Sequence, residues 1–205
     1  MRVSRKTEIL DVAKAVQTRS SFFPRATIKS EGPVTFRSQV ARDIACLFDV
    51  DAEVETWTCD PPFLSVGLEY HVCDFLVCHV SGQRILVDGF DRTETADTAL
   101  LEAAAAEAGF QYKRPPKIEV YGGARLRNAK DLLRYGNYQA TLGDRVRLLA
   151  ALEEHGSLSV AECLTAFSET RPVAGLASMV LNGFVEIELD DELIGPSTAV
   201  RRIAS

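Results

Sequence analysis

The chain has 205 residues, 46% of them hydrophobic and 25% charged, enough to bury a core without disulfide or metal staples. No run of about 18 apolar residues occurs, which excludes a membrane-spanning helix. The formal net charge of −6 conceals a segregation. Residues 1–48 carry nine Lys/Arg against four Asp/Glu, residues 49–110 two against thirteen, residues 111–148 nine against three, and residues 149–205 three against nine. Two basic segments on an acidic chain can still make a local nucleic-acid footprint.

In chain order, TEILDVAKAVQT (7–18) sets Ile9, Val12, Ala13 and Val16 at helical spacing. A loop with a short strand follows in SSFFPRATIKSEGPVTF. RSQVARDIACLFDV (37–50) is a second amphipathic helix, through Val40, Ile44, Leu47 and Phe48. VETWTC (54–59) alternates as a strand and is stopped by Asp60-Pro61-Pro62. EYHVCDFLVCHV (69–80) reads as one long strand, turning at Ser81-Gly82 into QRILVDGF. Residues 93–110 form a helix capped by Thr93 or Thr95 and ended by Gly109. KIEVYGG (117–123) reads as a short strand. This order predicts an α/β domain over 1–122, a mixed sheet flanked by helices.

Over 123–205 the pattern turns helical. RNAKDLLRYGNY and GDRVRLLAALEEHG carry periodic leucines, and SLSVAECLTAF opens on Ser159 with Glu162 three residues on. RPVAGLASMVLNG follows, then FVEIELDDELI as a two-stranded turn around Asp190-Asp191. Helix, helix, helix, hairpin is the order of a small winged-helix domain.

Asp74 and Asp88 lie on what read as neighbouring strands. A metal-dependent phosphodiesterase needs two or three carboxylates converging on Mg²⁺, and gains from a lysine two residues after the second acid. That position holds Phe90. Asp74 and Asp88 alone would hold Mg²⁺ weakly.

TFRSQVARDIACLFDVDAEVETWTCDPPFL followed by YHVCDFLVCHVSGQRILVDGF resembles the N-terminal domain of TnsA-type transposon endonucleases, which have the restriction-endonuclease-like PD-(D/E)xK fold. In that family ES-x-x-E-R-D opens the first core helix, QP follows the next strand, and PDF and E-V-K come after. The second half, DRVRLLAALEEHGSLSVAECL to FVEIELDDELIGPSTAVR, is similar to the winged-helix region that follows. This chain departs from the family at the site: Arg37 and Ala41 replace the helix glutamates, Asp60 the glutamine, and Asp88-Gly89-Phe90 the E-V-K. Arg42, Asp43 and Asp74 match. The resemblance thus implies a nuclease frame with a depleted site, catalytic residues absent and Asp74 and Asp88 as remnants. Lys29 or Arg84 are candidates to replace the lysine. Without metal, Asp88 is expected to pair with Arg84 or Arg92, and Asp74 to accept from backbone amides.

His71, Cys73, Cys78 and His79 crowd one apparent strand. Cys78 points to the opposite face, and His79 lies about 26 Å from His71 at about 3.3 Å per residue, beyond a shared zinc ion. His71 and Cys73 supply two donors, with Cys59 as a third candidate, but core thiols and a half-exposed imidazole are the expectation. The five scattered cysteines and the charged start, which lacks an export-signal core, predict reduced thiols in a cytoplasmic protein.

RPVAGLASMVLNG has one basic residue, Arg171, and Glu186, Glu188, Asp190, Asp191 and Glu192 follow it. Such acids oppose phosphate contact, so the C-terminal domain is expected to bind protein or a second copy of itself. The resemblance implies the transposon's ATPase regulator as that partner. DNA contact is expected from Lys113, Arg114, Lys117, Arg125, Arg127, Lys130, Arg134 and Tyr135, with Tyr138 interleaved. The leading expectation is a catalytically inactive, DNA-associated scaffold or regulator of mobile-element recombination, needing no cofactor. Two alternatives stand beside it. One is an active Mg²⁺ endonuclease using Asp74 and Asp88, with Asp43 or Asp60 as a third ligand. The other is a protein-interaction module without DNA binding.

Overall fold

The computed structural model describes residues 22–93 and 96–203, so the expected helix over 7–18 lies outside the described residues. The chain divides into two compact units. Within the described residues the first holds 22–23 and Lys29–Tyr121, and the second Pro24–Ile28 and the chain from Gly122 on. Among the described residues no helix is long and apolar enough to cross a membrane.

The first unit is an α/β arrangement of α1 (Gln39–Val50), β1 (Val54–Thr58), β2 (Phe63–Val66), β3 (Glu69–Val72), β4 (Phe75–His79), β5 (Arg84–Val87), α2 (Thr98–Glu107), β6 (Gln111–Lys113) and α3 (Lys117–Tyr121). A four-stranded mixed sheet runs β1-β4-β5-β6, and β2 and β3 form a separate hairpin. The β1–β4 and β4–β5 pairs are antiparallel, whereas β6 joins β5 in parallel. A parallel partner cannot be reached by a tight turn, and α2 is the crossover that reaches it.

The pleat sends Phe75 and Val77 to one face of the sheet and Leu76 to the other. On the first face Phe36, Phe48, Trp57 and Phe75 form a ring cluster with centroids 5.4–6.4 Å apart, covered by α1. Ser38 caps that helix by accepting from the Ala41 N–H at 3.1 Å. On the second face Leu64, Cys73, Leu86, Leu101 and Ala105 pack together, with Leu76 against them.

Three expectations need correction. Residues 69–80 are two strands in two different sheets, broken at Cys73-Asp74. The uniform apolar alternation hides the point where the chain changes sheet. KIEVY is a helix, not a strand. Pro115-Pro116 leads into it, and the Pro116 carbonyl accepts from Glu119 and Val120 N–H at 2.9 and 3.3 Å, a helical turn that outweighs the β-branched residues' strand preference. The helix expected from residue 93 begins at Thr98, capped by Asp97 rather than Thr93; Thr95 lies outside the described residues.

The second unit comprises α4 (Arg125–Leu133), α5 (Leu142–His155), β7 (Ser157–Ser159), α6 (Val160–Leu164), α7 (Pro172–Leu181), β8 (Val185–Ile187) and β9 (Ala199–Arg202). Its antiparallel sheet runs β7-β9-β8. Leu148, Leu152, Cys163, Met179, Val185 and Val200 are the buried core. Ser159 and Glu162 make the expected reciprocal capping box at α6. The hairpin expected to turn at Asp190-Asp191 is wider, because β8 pairs with β9. The intervening segment is held by buried Asn128, which donates to the Leu189 and Glu192 carbonyls at 2.8 Å and accepts from Ile194 N–H at 3.0 Å. A loop pinned by a distant side chain leaves no local sequence signal.

Candidate functional site

Asp74 sits in the two-residue link between β3 and β4, and Asp88 follows β5 directly. Because β4 and β5 are antiparallel neighbours with Phe75 opposite Val87, the two acids meet at the same end of the sheet. Their contact is direct: the Asp74 N–H donates to Asp88 Oδ1 at 3.0 Å.

Two arginines stand against these acids. Arg37, just before α1, grips Asp74 with both arms of its fork, Nε to Oδ1 at 3.1 Å and Nη2 to Oδ2 at 3.2 Å. The same guanidinium binds Asp91, Nη2 to Oδ1 at 2.6 Å and Nη1 to Oδ2 at 3.2 Å. Arg92 Nη1 donates to Asp74 Oδ1 and Asp88 Oδ1, each at 3.0 Å, and to the Val72 carbonyl at 2.9 Å. Asp74 Oδ2 also accepts the Gly89 N–H at 2.8 Å. A side chain at Gly89 would meet Asp91, Arg37 and Asp74 within 3.3 Å, so glycine lets the backbone approach the cluster.

Asp88 is fully buried. Its Oδ2 lies 2.6 Å from His71 Nε2 and accepts from the Tyr112 hydroxyl at 3.0 Å. The His71 imidazole, expected half-exposed, is itself buried, because the hairpin folds it against Asp88. Burial alone would raise the Asp88 pKa, but hydrogen bonding from His71 and the Arg92 charge bring it below the usual carboxylate value. Asp91 is likewise lowered, its partial burial outweighed by the Arg37 hydrogen bonds. Tyr112 is pushed up by burial and by the Asp88 charge, so its hydroxyl stays a donor. Burial and the Asp88 charge also raise the Cys73 thiol.

Three of the four carboxylate oxygens of Asp74 and Asp88 are thus held by a guanidinium, and the fourth, Asp88 Oδ2, faces His71 and Tyr112. A hard dication such as Mg²⁺ wants those lone pairs and repels guanidinium. The donor set at Asp74 and Asp88 therefore does not fit Mg²⁺, and it supports no metal-assisted step.

The remaining nuclease candidates lie elsewhere in the first unit. Lys29 Nζ donates to the Asp51 and Val54 carbonyls at 2.5 and 2.7 Å, and Arg84 stacks on Phe110 with 4.6 Å to the ring centroid. Neither reaches the acids. Asp43 accepts from Gln39 at 2.6 Å and the Tyr121 hydroxyl at 3.0 Å, and Asp60 is exposed between β1 and β2. Phe90 packs edge-on against Tyr121, centroids 5.8 Å apart. Of the expected pairings, Asp88 takes Arg92 rather than Arg84, and Asp74 takes a backbone amide as well as the two arginines. Sequence reasoning treated Arg37 only as a lost glutamate and did not single out Asp91 or Tyr112.

The residues expected to contact DNA fall into two groups. In the first unit Lys113 pairs with Glu119, Arg114 is engaged with the Phe90 and Arg92 carbonyls, and Lys117 is exposed at the start of α3. In the second unit Arg125 is tied to Asp190 at 2.9 Å, and Tyr135 is half-buried against Tyr138, centroids 6.0 Å apart. Arg127 and Lys130 on α4 and Arg134 at its C-cap recur at i, i+3 and i+7, with Arg127 and Arg134 exposed. Asp131 stands 3.4 Å from Arg134.

α7 has little surface to offer. Ala174, Gly175, Leu176, Ala177, Ser178, Met179 and Leu181 are all buried, and the Phe167 ring packs so closely on Gly175 that a Cβ there would collide with it.

No family model matches the chain, and no curated protein matches it.

Proposed function

We propose that this chain is a non-catalytic, DNA-associated scaffold on a nuclease-type frame, with arginines in place of the metal ion. The observation carrying the reading is the double engagement of Asp74 and Asp88 by Arg37 and Arg92. Arg37 enters from the start of α1, where the TnsA-type resemblance puts a helix glutamate. A glutamate there would add to a metal site, whereas an arginine neutralises the acids that remain.

The element order supports the restriction-endonuclease-like reading. A helix, a strand, two acid-bearing strand ends and a crossover helix come in that order as α1, β1, β4, β5 and α2, with the β2–β3 hairpin inserted after β1. The sequence α5, β7, α6, α7, β8, β9, with its three-stranded sheet, supports a winged-helix reading of the second unit. In such domains the third helix reads the major groove. Here that helix is buried from Ala174 to Met179 and again at Leu181, and exposed acids follow it at Glu186, Glu188, Asp190, Asp191 and Glu192. This favours a protein partner for that face, an ATPase regulator or a second copy, in a cytoplasmic protein acting in or on mobile-element recombination.

DNA contact is assigned to the α4 face. Arg127→Ala with Arg134→Ala is expected to weaken binding to duplex and branched DNA and to lower the salt dependence by about one or two units of slope. Fluorescence titration at two salt concentrations reads both. Unchanged affinity and slope would favour the protein-interaction reading instead.

A further inference from the structure

We propose that His71, Cys73 and Asp88 form a closed site for one thiophilic divalent cation of the zinc type, at the Asp88 oxygen that the arginines do not touch. His71 ends up beside Asp88 because the β2–β3 hairpin carries it there, and Cys73 follows two residues later, just before β4. One donor atom from each of the three lies within 4.8 Å of the other two, and all three residues are buried. Among the described residues these three form the one such group.

The site differs in kind from the acid pair beside it. Imidazole, thiolate and a single carboxylate oxygen are the donors zinc selects, whereas Mg²⁺ prefers oxygen alone. Asp88 is already oriented for this role. Its Oδ1 is held by Arg92 and the Asp74 N–H, the outer support that metal-binding carboxylates receive, and its Oδ2 faces His71. Tetrahedral zinc sets its ligand atoms about 3.3–3.7 Å apart. The 2.6 Å His71–Asp88 pair therefore opens modestly while the thiol closes in. A water completes the fourth position, beside the Tyr112 hydroxyl that donates to Asp88 Oδ2 at 3.0 Å.

Binding forms bonds from Nε2, Sγ and Oδ2 to the ion. The Cys73 thiol loses its proton to solvent, the hydrogen that His71 Nε2 directs at Asp88 moves to Nδ1 by exchange with solvent so that the Nε2 lone pair faces the ion, and no redox change occurs. Burial makes the ion structural: it would staple the separate β2–β3 hairpin to β5.

The test uses the full chain, stripped of metal by a chelator and titrated with Co²⁺ and then Zn²⁺ in the absence of DNA. The expected result is one equivalent of tetrahedral cobalt with a thiolate charge-transfer band, bleached by zinc. Cys73→Ser should remove the band, and Cys78→Ser should keep it. X-ray absorption at the zinc edge, which needs no variant, should report one sulfur among nitrogen and oxygen ligands. A spectrum without the charge-transfer band, a zinc shell without sulfur or with several, or a band that survives in folded Cys73→Ser overturns the site. Each readout is taken on the protein alone, so its failure leaves the DNA-scaffold reading standing, and the converse also holds.

Discussion

Arg92→Ala is expected to cost about 3–5 kcal/mol of folding stability, the range for removing one partner of a buried ion pair. The Arg92 side chain is 16% exposed and reaches Asp88, which is fully buried, and Asp74, which is 6% exposed. Alanine there leaves a buried carboxylate facing a second one whose N–H it already accepts. Denaturant unfolding near neutral pH checks the size. Asp74→Asn in the same chain should return part of the loss, because it removes one of the two charges left facing each other. A loss under about 1 kcal/mol, the range for surface pairs, would mean that the cluster is solvated and the neutralisation argument wrong.

Asp144→Asn is expected to destabilise the second unit by about 1–3 kcal/mol, because one of the two oxygens that accept part-buried backbone N–H groups becomes an amide NH2. Asp144 lies in the first turn of α5. Its Oδ1 accepts from the Ser168 and Glu169 N–H groups at 2.9 and 3.2 Å, and its Oδ2 from the Thr170 N–H at 2.6 Å. Arg147 binds it from one turn on. Burial opposes the charged form, but the Ser168 amide, Thr170 and Arg147 prevail and hold the carboxyl well below its ordinary range. The sign follows. A depressed folded pKa contributes stability that is complete above the unfolded value, about 3.9, and is lost as pH falls through the folded one. Wild type should therefore weaken on acidification below about pH 4, and Asp144→Asn should weaken less over the same interval. Parallel pH profiles would show that Asp144 does not carry the effect.

The parts of the fold governed by local rules are legible in the sequence. The apolar stripe of α1 and the Ser159–Glu162 box of α6 appear where spacing and capping put them. The parts governed by distant partners are not. The chain changes sheet at Cys73-Asp74 without losing its alternation, so His71 to His79 reads as one strand across a break. That continuity sets His79 on the same ruler as His71 and draws attention from Asp88, the residue that stands beside the His71–Cys73 pair in space. β6 escapes sequence reading because Gln-Tyr-Lys has no apolar run; it exists because α2 returns the chain to the edge of β5.

At the site the two acids are legible and their partners half so. Asp74 and Asp88 stand out by their positions, and Arg92 is a foreseeable partner for Asp88. Arg37 registers only as a missing glutamate. Its role depends on α1 starting beside the β3–β4 link, a tertiary fact with no signature in the residues near it. Gly89 offers a faint clue, since a glycine next to an acid often marks a close backbone approach.

Replacement of the metal by arginines at Asp74 and Asp88 is tested most directly by cleavage. Labelled duplex and branched DNA would be incubated with the purified protein and Mn²⁺ or Mg²⁺, and read on a denaturing gel. Intact strands are predicted at every protein concentration that binds the DNA, with wild type and Asp88→Asn indistinguishable. Strand cutting that disappears in Asp88→Asn would contradict the replacement and make Asp74 and Asp88 metal ligands.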